Sequence, residues 1–242
     1  MLHFQTMTHK TLIFTDGAAK GNPGPGGYGV VISHTGTITE KGGYKDRTTN
    51  NEMELKAVVE ALKEVAPKKV PVHIYTDSKY VVEGATGWIF GWVKNGWVTQ
   101  TKTDVLNKEL WQELLPLLKE VEIEWHKIPG HSGLLGNERA DDIASTFATK
   151  KSYPLYVGDE SEYGHNIHNV SYDEVKAQDR SDARKRQNQK AYSYISAVDG
   201  VVMIHATWAE CEARVKGKKG ARFKKSLDAE EEKEIVGEFE VG

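Results

Sequence analysis

Hydrophobic and polar positions over residues 11–149 alternate between two periods. Leu12-Ile13-Phe14 is a short apolar run that ends at Asp16 before a cluster of glycines, which predicts a buried strand over 11–16. Strands at 27–33 and 37–45 follow, joined by the turn His34-Thr35-Gly36. Over 51–66 the period becomes helical: Leu55, Val58, Val59 and Leu62 share one face, with asparagine expected as the N-cap. Val72, Ile74 and Thr76 alternate with His73 and Tyr75, predicting a strand over 72–76 that yields to a helix over 79–91. A helix over 104–119 and a strand over 121–126 come next; in the strand Val121, Ile123 and Trp125 oppose Glu122, Glu124 and His126. A last helix, 138–149, carries Ala140, Ile143, Ala144 and Phe147 on one face. A three-strand meander followed by alternating helices and strands predicts an α/β fold, a mixed sheet with helices on its faces.

The pattern fades after residue 150. Residues 151–190 are polar, with sparse apolar positions and then charges of both signs, and read as a linker with a possible helix. Order returns at 191: a strand, a turn at Asp199-Gly200, a second strand, a helix capped by Thr207, a short strand and an acid-rich helix. The expected organisation is an N-terminal extension (1–10), an α/β domain (11–150), the linker (151–190) and a small α+β domain (191–242). Charge divides the last domain, because Arg214, Lys216, Lys218, Lys219, Arg222, Lys224 and Lys225 are followed by a stretch rich in Asp and Glu.

Composition narrows this picture. The chain has 242 residues and a formal charge of −3, so nucleic-acid affinity has to come from local patches. A single cysteine, Cys211, excludes an intrachain disulfide and suits a reducing, cytoplasmic setting. No apolar run reaches transmembrane length, and the opening MLHFQTM has no signal-peptide profile.

The candidate chemistry lies in acids. Taken alone, Asp16 fits either a solvated hairpin turn or a site at the end of a buried strand. Glu54 sits in the first turn of its helix, and Asp77 stands where a strand becomes a helix. In NERADDIA, helical phase leaves Asp142 facing water and puts Asp141 beside the buried face. If these acids converge, two unit charges ~4 Å apart repel by roughly 4 kcal/mol at an effective dielectric of 20. Protons or hard cations must then enter, and oxygen-only ligands suit Mg²⁺ or Mn²⁺. The glycine loop has no following Gly-Lys-Ser/Thr, which argues against a nucleotide triphosphatase. Neither cysteine clusters nor zincin-type histidine spacing are present.

FTDGAAKGNPGPGGYG, TTNNEMEL, YTDSKYV, PGHSG and NERADDIA occur in the order and spacing of bacterial ribonuclease HI, a type 1 ribonuclease H. WIFGWVKNGW and LWQEL also resemble that family, and the likeness spans residues 11–148. It implies the five-stranded ribonuclease H-like fold. It further implies an endoribonuclease that hydrolyses the RNA strand of RNA–DNA hybrids by two-metal-ion in-line cleavage, leaving 5′-phosphate and 3′-hydroxyl ends. By resemblance two Mg²⁺ ions, with Mn²⁺ as substitute, lie on Asp16, Glu54, Asp77 and Asp141, with Asp16 bridging them. His131 is the mobile helper, either relaying a proton or assisting product release. Asn22, Asn50 and Asn51 correspond to minor-groove contacts, with turn formation and helix capping as their structural alternatives. Trp88, Trp92, Lys94 and Trp97 fall in the family's substrate handle, although at least two of these tryptophans are expected to pack in the core. This handle is short of cations, having only Lys94 between Trp88 and Trp97.

The last 50 residues resemble the viroplasmin-like hybrid-binding domain of many type 1 ribonucleases H. The matching residues are Tyr194, Thr207 to Cys211, Val215, Gly217 and Ala221 to Lys225. The resemblance implies hybrid contacts by Tyr194, Trp208, Phe223, Lys224 and Lys225. Two departures stand out: the module is usually N-terminal, and its first hairpin, AVDGVVMIHA, is nearly chargeless. The expected partner is an RNA–DNA hybrid, with no membrane and no obligate protein partner. Two other readings remain open on sequence: a non-catalytic nucleic-acid-binding protein on the same scaffold, and a transposase, integrase or junction-nuclease relative. The complete acid set favours the endoribonuclease over the first, and the TTNNEMEL and PGHSG context over the second.

Overall fold

The computed structural model describes residues 10–130, 132–172, 175, 179, 186 and 189–241. The chain divides into two units, Met1–Ser181 and Asp182–Gly242.

The first unit begins with a meander of β1 (Thr11–Ala19), β2 (Gly24–His34) and β3 (Thr37–Thr48). Helix α1 (Asn50–Val65) returns the chain to β4 (Val72–Thr76), which pairs parallel with β1. One helical stretch follows: α2 (Lys79–Glu83), a wide π turn (Gly84–Trp88) and α3 (Ile89–Lys94). Then come α4 (Lys108–Glu120), β5 (Ile123–Lys127, parallel to β4) and α5 (Leu135–Phe147). Strand alternation sorts the core into two layers. Ile13, Val30, Ile32 and Ile74 pack with Leu55, Val58 and Leu62 of α1 and with Trp111 and Leu114 of α4. Leu12, Phe14, Val31 and Tyr75 pack with Ala140 and Ile143 of α5 on the opposite face. Helix α1 starts one residue earlier than expected, and its cap is Thr49, whose side chain accepts from the Glu52 amide; it is not an asparagine.

A sixth strand corrects the linker expectation. Residues Val157–Asp159 form β6, which pairs antiparallel with β3 and gives the sheet order β5-β4-β1-β2-β3-β6. Beyond it, Tyr163 and Ile167 are buried in the α5-side layer. Residues 151–172 therefore belong to the first unit. Their few apolar residues are irregularly spaced and carry no periodicity; Tyr163 and Ile167 dock on distant elements, while Leu155 and Val157 stay exposed.

The second unit is a three-stranded antiparallel sheet with a helix on each face. Its elements are β7 (Ser193–Val198), β8 (Val201–His205), α6 (Trp208–Val215), β9 (Arg222–Ser226) and α7 (Ala229–Val241), with sheet order β8-β7-β9. Asp199 and Gly200 both have positive φ, 53° and 75°, as a tight hairpin turn requires. A full capping box, Thr207 with Glu210, starts α6. Alternate residues of β7 serve the two helices: Ile195 and Ala197 pack on Ile235 and Phe239 of α7, while Tyr194 and Val198 pack on Cys211 and Val215 of α6. Among the described residues, no helix is long and apolar enough to cross a membrane.

Candidate active site

Phe14 of β1 lies in register with Tyr75 of β4, and two residues further along these parallel strands come Asp16 and Asp77. Both acids therefore lie just past the last residues that pair β1 with β4: Asp77 follows the end of β4, while Asp16 is still within β1 and paired with β2. Two glycines let helices close on this point. A Cβ on Gly17 would stand 2.1 Å from the backbone nitrogen of Glu54, so only glycine lets α1 reach β1. Gly29 is the register partner of Asp16, and a Cβ there would stand 2.1 Å from the carbonyl oxygen of Ala140. The two close approaches bring Glu54 and Asp141 to the part of β1 that carries Asp16.

All four carboxylates are half-buried, while Asp142 is exposed, as the helical phase predicts. Burial, followed by the charges of Asp77, Asp141 and Glu54, holds the Asp16 carboxyl well above its ordinary range; the Gly17 amide, 2.7 Å away, opposes this only in part. Glu54 is also pushed up, first by burial and then by Asp77, against a hydrogen bond donated by Ser78 Oγ. Ser145 Oγ donates to Asp141 at 3.1 Å. Among the described residues, no cation is a cause of the shift at Asp16 or Glu54. An oxygen-only set whose members resist sharing their charge fits hard divalent cations.

Sequence reasoning missed Ser78. Its hydroxyl bonds Glu54 and also caps α2 by accepting from the Val81 amide at 3.1 Å. A Ser directly before a helix is a recognisable cap signal, but its second bond crosses 24 residues. His131 lies outside the described residues; its neighbour Gly130 sits against Asp77, where a Cβ would be 3.0 Å from Oδ2.

Asn22, Asn50 and Asn51 are exposed on the β1–β2 turn and at the start of α1. Asn50 Oδ1 accepts from the Ala19 amide at 2.7 Å, tying α1 to the end of β1. The tryptophans form a graded series. Trp111 is fully buried, Trp92 and Trp97 pack against the core, and Trp88 is 41% exposed. Ring contacts run outward from Trp111 to Trp92 (5.3 Å) and from Trp92 to Trp88 (5.9 Å). Lys94 is exposed at the end of α3.

In the second unit Tyr194, Trp208 and Phe223 form an aromatic surface, with Trp208 5.7 Å from Tyr194 and 5.2 Å from Phe223. Trp208 and Phe223 keep 39% and 50% of their surface in solvent. Lys224 is ion-paired with Glu238 of α7 at 2.6 Å, and Lys225 donates to the Gln189 carbonyl at 2.8 Å. Both lysines flank the aromatic groove already partnered within their own unit.

A mixed sheet on which two acids from adjacent strands, just past their pairing, meet one acid from each of two helices is the architecture of a ribonuclease H-like nuclease. The RNase H family profile matches residues 8–149, more than half of the chain. A second profile, described as the Ribonuclease H1 N-terminal domain, matches residues 201–231. A Ribonuclease H of Thermosynechococcus vestitus is 52% identical over 142 residues, covering 57% of this chain and 88% of that protein. A Ribonuclease H of Bradyrhizobium sp. is 52% identical over 132 residues, covering 54% of this chain and 85% of that protein. Among solved structures, LC9-RNase H1, described as a type 1 RNase H with the type 2 active-site motif, aligns with a TM-score of 0.55 and 27% identity. That alignment covers 70% of this chain and 85% of LC9-RNase H1. The chain belongs to the ribonuclease H family, type 1, and carries an additional hybrid-binding module after its nuclease unit. Ribonucleases H degrade the RNA strand of RNA–DNA hybrids, and this chain is an enzyme of that class.

Proposed function

We propose that Asp16, Glu54, Asp77 and Asp141 hold two divalent cations, Mg²⁺ by preference and Mn²⁺ as substitute, and that cleavage of the RNA strand leaves 5′-phosphate and 3′-hydroxyl ends. The observation that supports this is the burial, and then the repulsion by neighbouring acids, that raise the carboxyls of Asp16 and Glu54, with no cation among the causes from the described residues. Bound there, such ions supply charge neutralisation at the phosphate, an acidified water and stabilisation of the leaving oxygen. The protein's own residues do the rest. Ser78 orients Glu54 through its hydroxyl. His131, next after Gly130 in the chain, exchanges a proton with the reacting groups or helps the product leave. Asn22, Asn50 and Asn51 border the site and read the sugar edges of the hybrid. Trp88, with Trp92, Trp97 and Lys94 behind and beside it, offers an apolar wall to the backbone.

The second unit adds affinity. Exposed faces of Tyr194, Trp208 and Phe223 stack on sugars or bases, and Lys224 and Lys225 reach phosphates once their partners on α7 and at Gln189 release them. No obligate protein partner is needed, and a single buried thiol, Cys211, suits the cytoplasm. The test is cleavage of matched hybrid, double-stranded RNA and double-stranded DNA, with Mg²⁺ and with chelator. Hybrid-only, Mg²⁺-dependent cleavage by the wild type, lost in Asp77→Asn, is the expected outcome. Metal-independent cleavage, or an active Asp77→Asn, would reject the metal assignment.

A further inference from the structure

Strand β5 is an edge of the large sheet, and the polar half of its alternation, Glu124 and His126, lies beside His73 and Tyr75 of β4 in register. We propose that His73, Glu124 and His126 form a binding site for one late first-row divalent cation of the Zn²⁺, Co²⁺ or Ni²⁺ class, separate from the carboxylate centre.

The donor atoms form a small triangle. His73 Nδ1 is 3.0 Å from His126 Nε2. The Glu124 oxygens lie 3.2 Å from His73 Nδ1 and 3.3 Å from His126 Nε2. Two ligands held ~2.0–2.1 Å from one zinc at tetrahedral angles stand roughly 3.3 Å apart; the two nitrogens, and each nitrogen with its own Glu124 oxygen (Oε2 for His73, Oε1 for His126), have about this spacing. Among the described residues this is the only set of three potential ligands whose donor atoms all fall within 4.8 Å of one another.

Protons or a cation can fill this triangle. Each imidazole nitrogen has one in-plane lobe, which is either an N–H or a lone pair. If both nitrogens donate to Glu124, each reaches a different oxygen and neither lone pair is offered inward. If one nitrogen donates to the other, one carboxylate contact is left without its hydrogen. A cation at the centre satisfies both nitrogens and the carboxylate together.

The site is also preformed. The ring of Tyr75 lies flat on His126, with centroids 4.4 Å apart and planes 7° apart, and Phe14 stacks behind Tyr75 at 5.0 Å. His73 is mostly covered and His126 partly so, while Glu124 is 64% exposed, leaving further coordination positions open to water. Burial holds His126 below its ordinary pKa, Glu124 opposes this, and His73 and Lys10 add to it; the neutral ring is the ligating form. The two imidazoles make the site softer than the all-oxygen centre, so Mg²⁺ does not compete for it. His73 stands four residues before Asp77, about 13 Å back along the strand. A bound ion would clip edge strand β5 to β4.

The test uses the full chain, freed of metal by chelator and then supplied with excess Mg²⁺ to serve the carboxylate centre. Zn²⁺ is titrated calorimetrically, and Co²⁺ is followed by its visible absorption. The expected result is one Zn²⁺ per chain, a Co²⁺ spectrum with nitrogen ligation, and a melting temperature that rises with Zn²⁺. His73→Asn and His126→Gln should each weaken Zn²⁺ by about tenfold or more, with Mg²⁺-supported hybrid cleavage unchanged. Glu124→Gln, at an exposed side chain that leaves the core alone, should weaken it several-fold even if a histidine variant fails to fold. Asp77→Asn should retain the Zn²⁺. Displacement by excess Mg²⁺, loss in Asp77→Asn, or wild-type affinity in the histidine and Glu124 variants would overturn the proposal.

Discussion

Asp16 on β1 and Glu40 on β3 are carboxylates set into the same sheet, and the fold treats them in opposite ways. Glu40 is 3% exposed and surrounded by donors. Arg139 grips it with Nε at 2.6 Å and Nη2 at 2.9 Å, the Tyr156 amide donates at 2.9 Å, and the Tyr163 hydroxyl donates as well. Burial opposes its ionisation, but these bonds outweigh burial and hold its carboxyl below the ordinary range. Asp16 has burial, three acids and one amide, and its carboxyl is driven up. At Glu40 the charge is taken up internally and builds structure. At Asp16 burial and neighbouring acids oppose ionisation, a balance that a bound cation would relieve. A buried acid alone does not mark a site; a carboxyl that its surroundings drive up is the better marker.

The largest effect should come from removing an acid of the carboxylate cluster around Asp16. Asp16→Asn or Asp77→Asn should lower hybrid turnover in Mg²⁺ by about three orders of magnitude or more. Asp16→Asn should at the same time stabilise the metal-free protein to urea by about 1 kcal/mol, because desolvation and repulsion are relieved. Loss of both activity and stability would show that Asp16 is a structural acid like Glu40.

The opposite sign is expected on β3. Arg139→Ala should cost about 3 kcal/mol in urea unfolding of the first unit, since it strands a buried carboxylate. Ending the chain at Lys150, the boundary suggested by pattern alone, should destabilise that unit similarly by removing Tyr153, Tyr156, Tyr163 and Ile167; ending it at Tyr172 should not. The pH dependence follows from the direction of the shift. A carboxyl whose folded value is depressed lends stability above its unfolded value, roughly 4.3, and loses it as pH falls through the folded one. Wild type should therefore lose urea resistance more steeply below about pH 4 than Glu40→Gln does.

The second unit extends the comparison, because there the lysines are already answered within the unit and the aromatics are left open. Trp208→Ala should cost about 1–3 kcal/mol of hybrid affinity, read as raised KM with turnover at saturation little changed. Ending the chain at Tyr172 should also flatten the dependence of log affinity on log salt, by roughly 0.9 for each phosphate that the second unit neutralises. Unchanged affinity and slope would give the aromatic surface some other ligand. The smallest effect is expected at Ser78. Ser78→Ala should reduce cleavage by about tenfold at limiting Mg²⁺ and be rescued by more Mg²⁺, as befits a residue that orients a ligand.

Much of the site was readable because its signals are local. Asp16 closes an apolar run, Asp77 closes an alternating one, and helical phase separates Asp141 from Asp142. The second unit was equally legible, since the Asp199-Gly200 turn and the Thr207–Glu210 cap are short-range devices. The strap over residues 151–172 was not, because Tyr163 and Ile167 follow no period and their partners lie far away in the chain. Nor was the pairing of Lys224 with Glu238, which turned an expected phosphate ligand into a residue with an internal partner.

By itself, then, the amino-acid order determined which segments become strands or helices, which faces are apolar, and where along those segments the four acids fall. Backbone geometry imposes periods of 2 and 3.6, and these show within about ten residues. Only the tertiary structure decided which charges are answered. Arg139 reaches Glu40 across 99 positions, Ser78 reaches Glu54 across 24, and His126 meets His73 across 53. Such meetings depend on strand register and on how closely helices approach glycine-lined strands, and no local pattern encodes either.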